Sequence, residues 1–339
     1  MANLLDKANI LITPTAYGDG KIHSAKPIEA TADLNFTRGS SATRVNAQGL
    51  IENVDTLGVE KIINGDFATD SDWEKPSNLS ISNGKAFANN VSSGRQLWQS
   101  FNSIGTYKID FTISNYVIGE IRPIFHGGTY LGGENVSENG IFTQYLTATS
   151  APSRFSFKFF GSSSIMCIEN VSVKEVIDVT NIPRINYKDG VGSWLIEPQS
   201  TNLYLNSALI VTQNITTLAS SYTVSFYGTG TITFTGTYSG SLTGTGVNDR
   251  VSITFTTTSG TLTSTVSGTV TQGQTEQQSF ATSLIPTNGS VQTRLAETAS
   301  KSGLENEINS EEGVLFVEIS ALSNDLTNRF IIVNDNTNN

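Results

Sequence analysis

One passage of this chain is interrupted by another. Residues 32–54 read ADLNFTRGSSATRVNAQGLIENV, and residues 181–206 read NIPRINYKDGVGSWLIEPQSTNLYLN. Between them, residues 59–176 carry the strand spacing of a complete β-sandwich. The junctions nearly match, with Val54-Asp55-Thr56 before the insert and Asp178-Val179-Thr180 after it. A surface loop accepts a whole domain when its host is rigid and the loop ends lie close together. The outer passages must therefore build a unit that closes without the insert.

The 339 residues suffice for two or three domains. Charged residues make up only 15%, and Gly, Ser, Thr and Asn take their place. Few helix formers and many β-branched or small residues predict an all-β chain of antiparallel, jelly-roll-type sandwiches. The formal net charge is −10 with no basic run, which argues against nucleic acid as a partner. No apolar run reaches about 18 residues, so no membrane insertion is expected. The start, MANLLDKANILITPTAYGDG, lacks the basic opening and long apolar core of a signal peptide. The single cysteine, Cys167, lies between Met166 and Ile168 and is expected in a buried strand. A chain without disulfides suits assembly in a reducing cytoplasm.

Five stretches follow from the patterning. Residues 1–58 hold an apolar lead-in and the first half of the host unit. Leu4, Leu5, Ile10, Leu11 and Ile12 in that lead-in are candidates for docking on another chain. Residues 59–176 are the insert, where Ile109, Phe111 and Ile113, and later Phe155, Phe157 and Phe159, alternate with polar residues and so share one sheet face. Residues 177–206 complete the host. Residues 207–297 form a Thr/Gly-rich sandwich, with Tyr222, Val224, Phe226, Ile232, Phe234, Val251, Ile253, Phe255, Leu262 and Val266 inward and one wet face per sheet. In residues 298–339, TASKSGLENEINS reads as a short helix or loop. GVLFVEISAL and NRFIIVND then read as the first strands of a further, incomplete domain.

Catalytic chemistry is sparse. His23 and His126 are the only histidines, and neither lies near a G-x-S-x-G elbow. Glu134 and Glu138 are the nearest approach to the carboxylate pair of a glycosidase. No catalytic residue is assigned. Sugar binding fits better, because aromatic faces stack on sugar rings while polar groups bond the hydroxyls. Trp73, Arg95, Trp98, Tyr107 and Tyr116, concentrated in the insert, are the candidates. A structural calcium is the one cofactor considered, with Asp66 in the Asn64–Phe67 turn and Glu169 near the closing strand as oxygen ligands.

The insert resembles jelly-roll carbohydrate-binding modules, in NGDF at Asn64–Phe67, Trp73 with ISNGKA at Ile81–Ala86, GTYKIDFTIS at Gly105–Ser114 and IENVSVKEV at Ile168–Val176. Those modules typically carry Asp where Glu169 stands. The host passages, with LITPTAYGDGKIHSAKP at residues 11–27, resemble virion appendage proteins of tailed phages infecting Bacteroidetes, including the crAss-like group. Relatives of that kind continue into a lectin-like, concanavalin-type sandwich, as the start of EEGVLFVEISALSNDLTNRFIIVND suggests here. The resemblance implies a tail-fibre or tail-appendage subunit of the virion, assembled in the host cytoplasm. It further implies a homotrimer docked by its N-terminus on tail or collar proteins, with sandwiches reaching host-surface glycan. A head fibre or capsid decoration protein and a secreted polysaccharide-binding protein are the alternatives.

Overall fold

The computed structural model describes residues 4–127, 131–188, 190–308 and 311–320. Among them the fold is nearly all β, and helix is confined to the single turn Leu4–Lys7. The chain forms two compact units. One is Asp55–Asp178; the other is built from the chain up to Val54 together with the chain from Val179 onward.

Two long strands organise the Asp55–Asp178 unit. Gly105–His126 and Arg154–Asp178 pair antiparallel over most of their length, with register shifts between Ser114 and Glu120. The shifts bend both strands, so each contributes to two walls. In one wall, Gly140–Ala148 pairs with residues 105–113, while Lys85–Val91 pairs with the middle of Arg154–Asp178, at residues 164–168, and Thr56–Glu60 with its end. In the other wall, Gln96–Ser100 pairs with residues 154–158. The inner faces meet in an aromatic core, where Phe111 lies 5.0 Å from Phe157 and Tyr107 lies 5.3 Å from Phe125 between ring centroids. Alternation in the sequence explains this directly, since Ile109, Phe111, Ile113, Phe155, Phe157 and Phe159 are all buried. Cys167 is buried as well.

Gly119 makes the bend. Its φ is +97°, and a Cβ there would sit 2.7 Å from both the Ser163 carbonyl oxygen and the Ser164 Cα. Gly119→Ala therefore meets positive-φ strain and a backbone clash together. It is expected to cost the insert about 2–3 kcal/mol, read as a lowered urea midpoint for this unit. An unchanged midpoint would mean that the corner relaxes freely.

The other unit contains the second sandwich. One sheet joins Gln213–Thr217, Gly260–Ser267, Thr231–Gly236 and Gly240–Thr243; the other joins Gly246–Thr256, Ser221–Gly228 and Val270–Glu276. Val224, Phe226, Ile232, Phe234 and Leu262 are fully buried between them. Val251, Ile253 and Val266 are half-buried at the edge of this core. The expectation of one wet face per sheet fails at Ser221–Gly228, where Thr223 and Ser225 are buried too. Thr223 Oγ1 donates to the Gln278 carbonyl at 2.9 Å and Arg250 Nη2 donates to Ser225 Oγ at 2.8 Å, so neighbouring chain covers that face.

A buried ion cluster ties this sandwich to the interrupted passages. Arg38 Nη1 lies 2.8 Å from Glu297 Oε1, Arg184 Nη2 lies 2.9 Å from Glu197 Oε2, and Arg294 Nη1 lies 2.9 Å from the same oxygen. Arg184 also donates through Nε to Glu297 Oε1 at 2.8 Å, and its Nη2 pairs with Glu297 Oε2. These side chains are at most 1% exposed. Glu276, fully buried nearby, accepts from Ser200 Oγ at 2.7 Å. Three guanidiniums thus pair with two carboxylates beside a third, and two spare donors find backbone: Arg184 Nη1 reaches the Thr43 carbonyl at 2.8 Å and Arg38 Nη1 the Ile182 carbonyl at 2.9 Å. Burial works against the Glu197 charge, and Arg184 and Arg294 with the Ser283 hydrogen bonds outweigh it, holding the carboxyl below its ordinary value.

The chain ends of this unit differ from expectation. Thr298–Ser300, in the stretch read as helix or loop, is a strand paired with Leu34–Thr37, and Thr37 and Thr298 share a hydroxyl hydrogen bond of 2.7 Å. Its anchor is Glu297, fixed next door in the ion cluster. The described part of GVLFVEISAL, residues 313–320, has no regular strand, and Val314, Leu315 and Phe316 are exposed. NRFIIVND lies outside the described residues. In the lead-in, Ile10, Leu11 and Ile12 are half-buried. Leu11 is held by its own unit: its carbonyl accepts from Ala25 N at 2.7 Å and its N donates to the Lys26 carbonyl at 3.2 Å. Leu4 and Leu5 belong to the helical turn, and their side chains lie outside the described ones.

Candidate saccharide-binding site

Gln96–Ser100 pairs with the start of Arg154–Asp178 in a register that sets Gln96 opposite Lys158, Trp98 opposite Ser156 and Ser100 opposite Arg154. Leu97 and Gln99 turn inward, so by alternation Gln96, Trp98 and Ser100 face outward. Gln99 fixes the strand by exchanging two hydrogen bonds with the Ile63 backbone, at 3.0 and 3.1 Å. On the free edge, Glu74 exchanges both backbone hydrogen bonds with Trp98, at 2.8 and 2.9 Å. The Gly94 backbone turns the chain beside them. The result is an open cleft of about 270 Å³, lined among others by Glu74, Lys75, Arg95, Gln96, Trp98 and Arg154.

The half-buried Trp98 has the Arg154 guanidinium over its ring, 5.1 Å from the centroid. Stacking of this kind holds a flexible cation in one place without neutralising it. Lys75 pairs with Asp70 at the cleft margin. Arg95 is exposed. His126, cross-strand from Arg154, shares a 2.8 Å hydrogen bond with Ser156 Oγ. Burial, then the charges of Arg154 and Lys158, push its pKa down, so it stays neutral at neutral pH. A half-exposed aromatic ring with ordered donors and acceptors is the chemistry that holds a sugar unit.

Of the residues singled out by sequence, Trp98 and Arg95 meet in this cleft. Trp73 and Tyr107 do not reach the surface. Trp73 packs its ring 5.3 Å from Phe67 and donates its indole N–H to the Asn64 carbonyl at 3.0 Å. Tyr107 is wholly buried, its hydroxyl spent on the Ile104 carbonyl at 3.2 Å. Both are core: the strand alternation turns Tyr107 inward, and the loop before Glu74 folds Trp73 onto Phe67 and Phe155, where large aromatic area fills the sandwich. Tyr116 is half-buried against the same core, near the bend of its strand. Arg154, Gln96, Glu74 and Lys75 were missed by sequence reasoning. The run Arg154-Phe-Ser-Phe-Lys158 held the signal, since its alternation puts Arg154, Ser156 and Lys158 on the outer face.

The proposed calcium ligands have other partners. Glu169 pairs with Lys85 at 2.8 Å and accepts from the Ser114 hydroxyl. Burial works against its charge, and these hydrogen bonds outweigh it, so its carboxyl stays below the usual value. Asp66 is exposed and accepts from the Ala68 N–H at 3.3 Å, a local turn. Among the described residues no three His, Cys, Asp or Glu side chains gather as a metal cage. The NGDF turn is explained by its contacts with the closing strand. Gly65 accepts from Val171 N at 2.8 Å, and a Cβ on Gly65 would lie 2.0 Å from the Val171 carbonyl oxygen.

Glu134 and Glu138 border a second depression of about 280 Å³, both exposed. His23 is engaged by Asp33 at 2.6 Å, where Asp33 also accepts from Ser24. No protein-family model matches this chain, and a search of curated proteins returns no match.

Proposed function

We propose that this chain is a non-enzymatic adhesive and structural protein, a tail-fibre or tail-appendage subunit of a phage virion, whose inserted sandwich holds host-surface glycan. The observation that carries the adhesive part is the cleft in which Trp98 is held by Arg154 beside Gln96, Arg95 and Glu74. The virion part draws on the resemblance of the host passages and on the architecture, a closed unit with a whole binding module spliced into one loop. Glu134 and Glu138 are both exposed to water, unlike the sheltered carboxyl of a catalytic acid. Weak single contacts become strong when copies are displayed together, which suits a trimeric appendage.

Cryo-electron microscopy of intact particles tests the location. Density for this chain on the tail or collar is expected. Density on the capsid lattice would make it a head fibre, and absence from particles would leave only a free polysaccharide-binding protein.

A further inference from the structure

We propose that the Trp98 cleft is a site for an acidic polysaccharide, a polymer of carboxylate-bearing sugars, and not for neutral glycan. The inference rests on the saccharide-binding reading and adds the ligand class.

Charge is the first observation. The whole chain carries a formal −10, yet Arg95 and Arg154 line the cleft against Glu74, with Lys75 there paired to Asp70. The cations continue along the same outer face. Lys158 lies cross-strand from Gln96, and Arg122 lies cross-strand from Lys158. Both rest against the Phe160 ring, Lys158 Nζ at 5.2 Å and the Arg122 guanidinium at 4.6 Å from its centroid. Arg154 and Lys158 are four residues apart on one strand, roughly 13 Å. That strip is longer than a single sugar, and it suits a chain with repeated carboxylates.

Unmatched hydrogen-bonding groups are the second observation. In the cleft wall, Arg154 Nε and Gln96 Oε1 are both shielded from water and have no hydrogen-bond partner. An unpaired donor and an unpaired acceptor in one wall are costly as they stand. A ligand that brings an anionic oxygen and a hydroxyl satisfies both once the two side chains turn toward the cleft. An acidic sugar carries the two on one ring. A carboxylate suits the planar guanidinium of Arg154, which Trp98 already holds in place.

Single-stranded nucleic acid also combines negative charge with stacking. It fits less well: an acidic sugar sets its carboxylate and its hydroxyl donors on one ring, whereas in a deoxynucleotide the donors are N–H groups on the base, away from the phosphate.

The test uses the full chain. Polygalacturonate, hyaluronan and polysialic acid, each beside its carboxyl-reduced form, and a dT oligonucleotide are titrated by calorimetry and tryptophan fluorescence. At least one acidic polymer is expected to bind about tenfold or more tighter than its carboxyl-reduced form. Arg154→Gln and the exposed Arg95→Gln are each expected to remove most of that preference while the thermal transition stays in place. Trp98→Phe is expected to abolish the fluorescence response. Equal binding of acidic and reduced forms would overturn the inference and leave the glycan-binding reading standing. Binding to none of the polymers would overturn both, and preference for the oligonucleotide would replace the acidic-sugar assignment.

Discussion

Glu297→Gln is expected to destabilise the host unit by about 3–5 kcal/mol, the cost of breaking a buried ion pair and leaving a charge behind. The substitution keeps the shape of the side chain and removes the charge. Arg38 and Arg184 both pair with this carboxylate, and neither guanidinium has water to turn to. The Glu197 N–H, which donates to Glu297 Oε2 at 2.9 Å, then faces a weaker acceptor. Because a single domain is stable by only about 5–15 kcal/mol, the loss takes a large share. Denaturation of the full chain should then show the host transition moving to lower urea, while the transition of Asp55–Asp178, which has its own core, stays in place. The pH dependence has a definite sign. Glu197 has a folded pKa below its unfolded one, so its contribution is fully present above the ordinary glutamate range. It is lost as pH falls through the lower folded value. Host stability should therefore fall steeply only in acid, below the ordinary carboxylate range. A Glu297→Gln protein that melts like the parent would mean that the cluster does not hold the unit together. Replacing the whole cluster with apolar residues is a different experiment, and one that is often neutral.

The sequence carried the strands of the insert plainly. Phe155, Phe157 and Phe159 declared a face by alternation alone, and the interruption after Val54 marked where one unit yields to the other. The ion cluster was not legible. Charged residues are read as surface by default, and Arg38, Arg184, Glu197, Arg294 and Glu297 are scattered over three distant stretches. A hint existed: Arg184 sits in Ile-Pro-Arg-Ile and Glu197 in Leu-Ile-Glu-Pro, apolar settings in a chain with little charge to spare. The aromatic candidates divided on a question that composition does not answer. Trp73, two residues beyond Ser71 in a polar loop, turns inward because Phe67 and Phe155 offer it a ring-lined site. Trp98 stays half-exposed because its strand neighbours Leu97 and Gln99 take the inner face. Arg154 joins Trp98 only through cross-strand register, which depends on pairing between segments more than 50 residues apart.

Excising residues 55–178 and joining Val54 to Val179 through a short Gly-Ser bridge should leave a folded host and abolish saccharide binding. The stem ends are pinned by nearby points of the same passage: Val54 N donates to the Ala42 carbonyl at 2.9 Å, and Arg38 Nη2 donates to the Val179 carbonyl at 3.3 Å. Asn181 adds a second clamp, its N–H on the Arg38 carbonyl at 2.8 Å and its Oδ1 on the Arg38 N–H at 3.0 Å. Thr56 and Asp178 are cross-strand partners, so the two ends of the insert lie side by side and a few linker residues span the gap. All the charges of the ion cluster lie outside the excised segment, as does the core of the second sandwich. Circular dichroism and a cooperative urea transition at an unchanged midpoint are therefore expected for the shortened chain. The excised Asp55–Asp178 piece, made alone, should keep the parent's affinity for whichever polymer the full chain binds, because every residue of the Trp98 cleft belongs to it. A shortened host without a cooperative transition would mean that the insert braces the loop it interrupts. Retained saccharide binding in that host would place the site outside the insert.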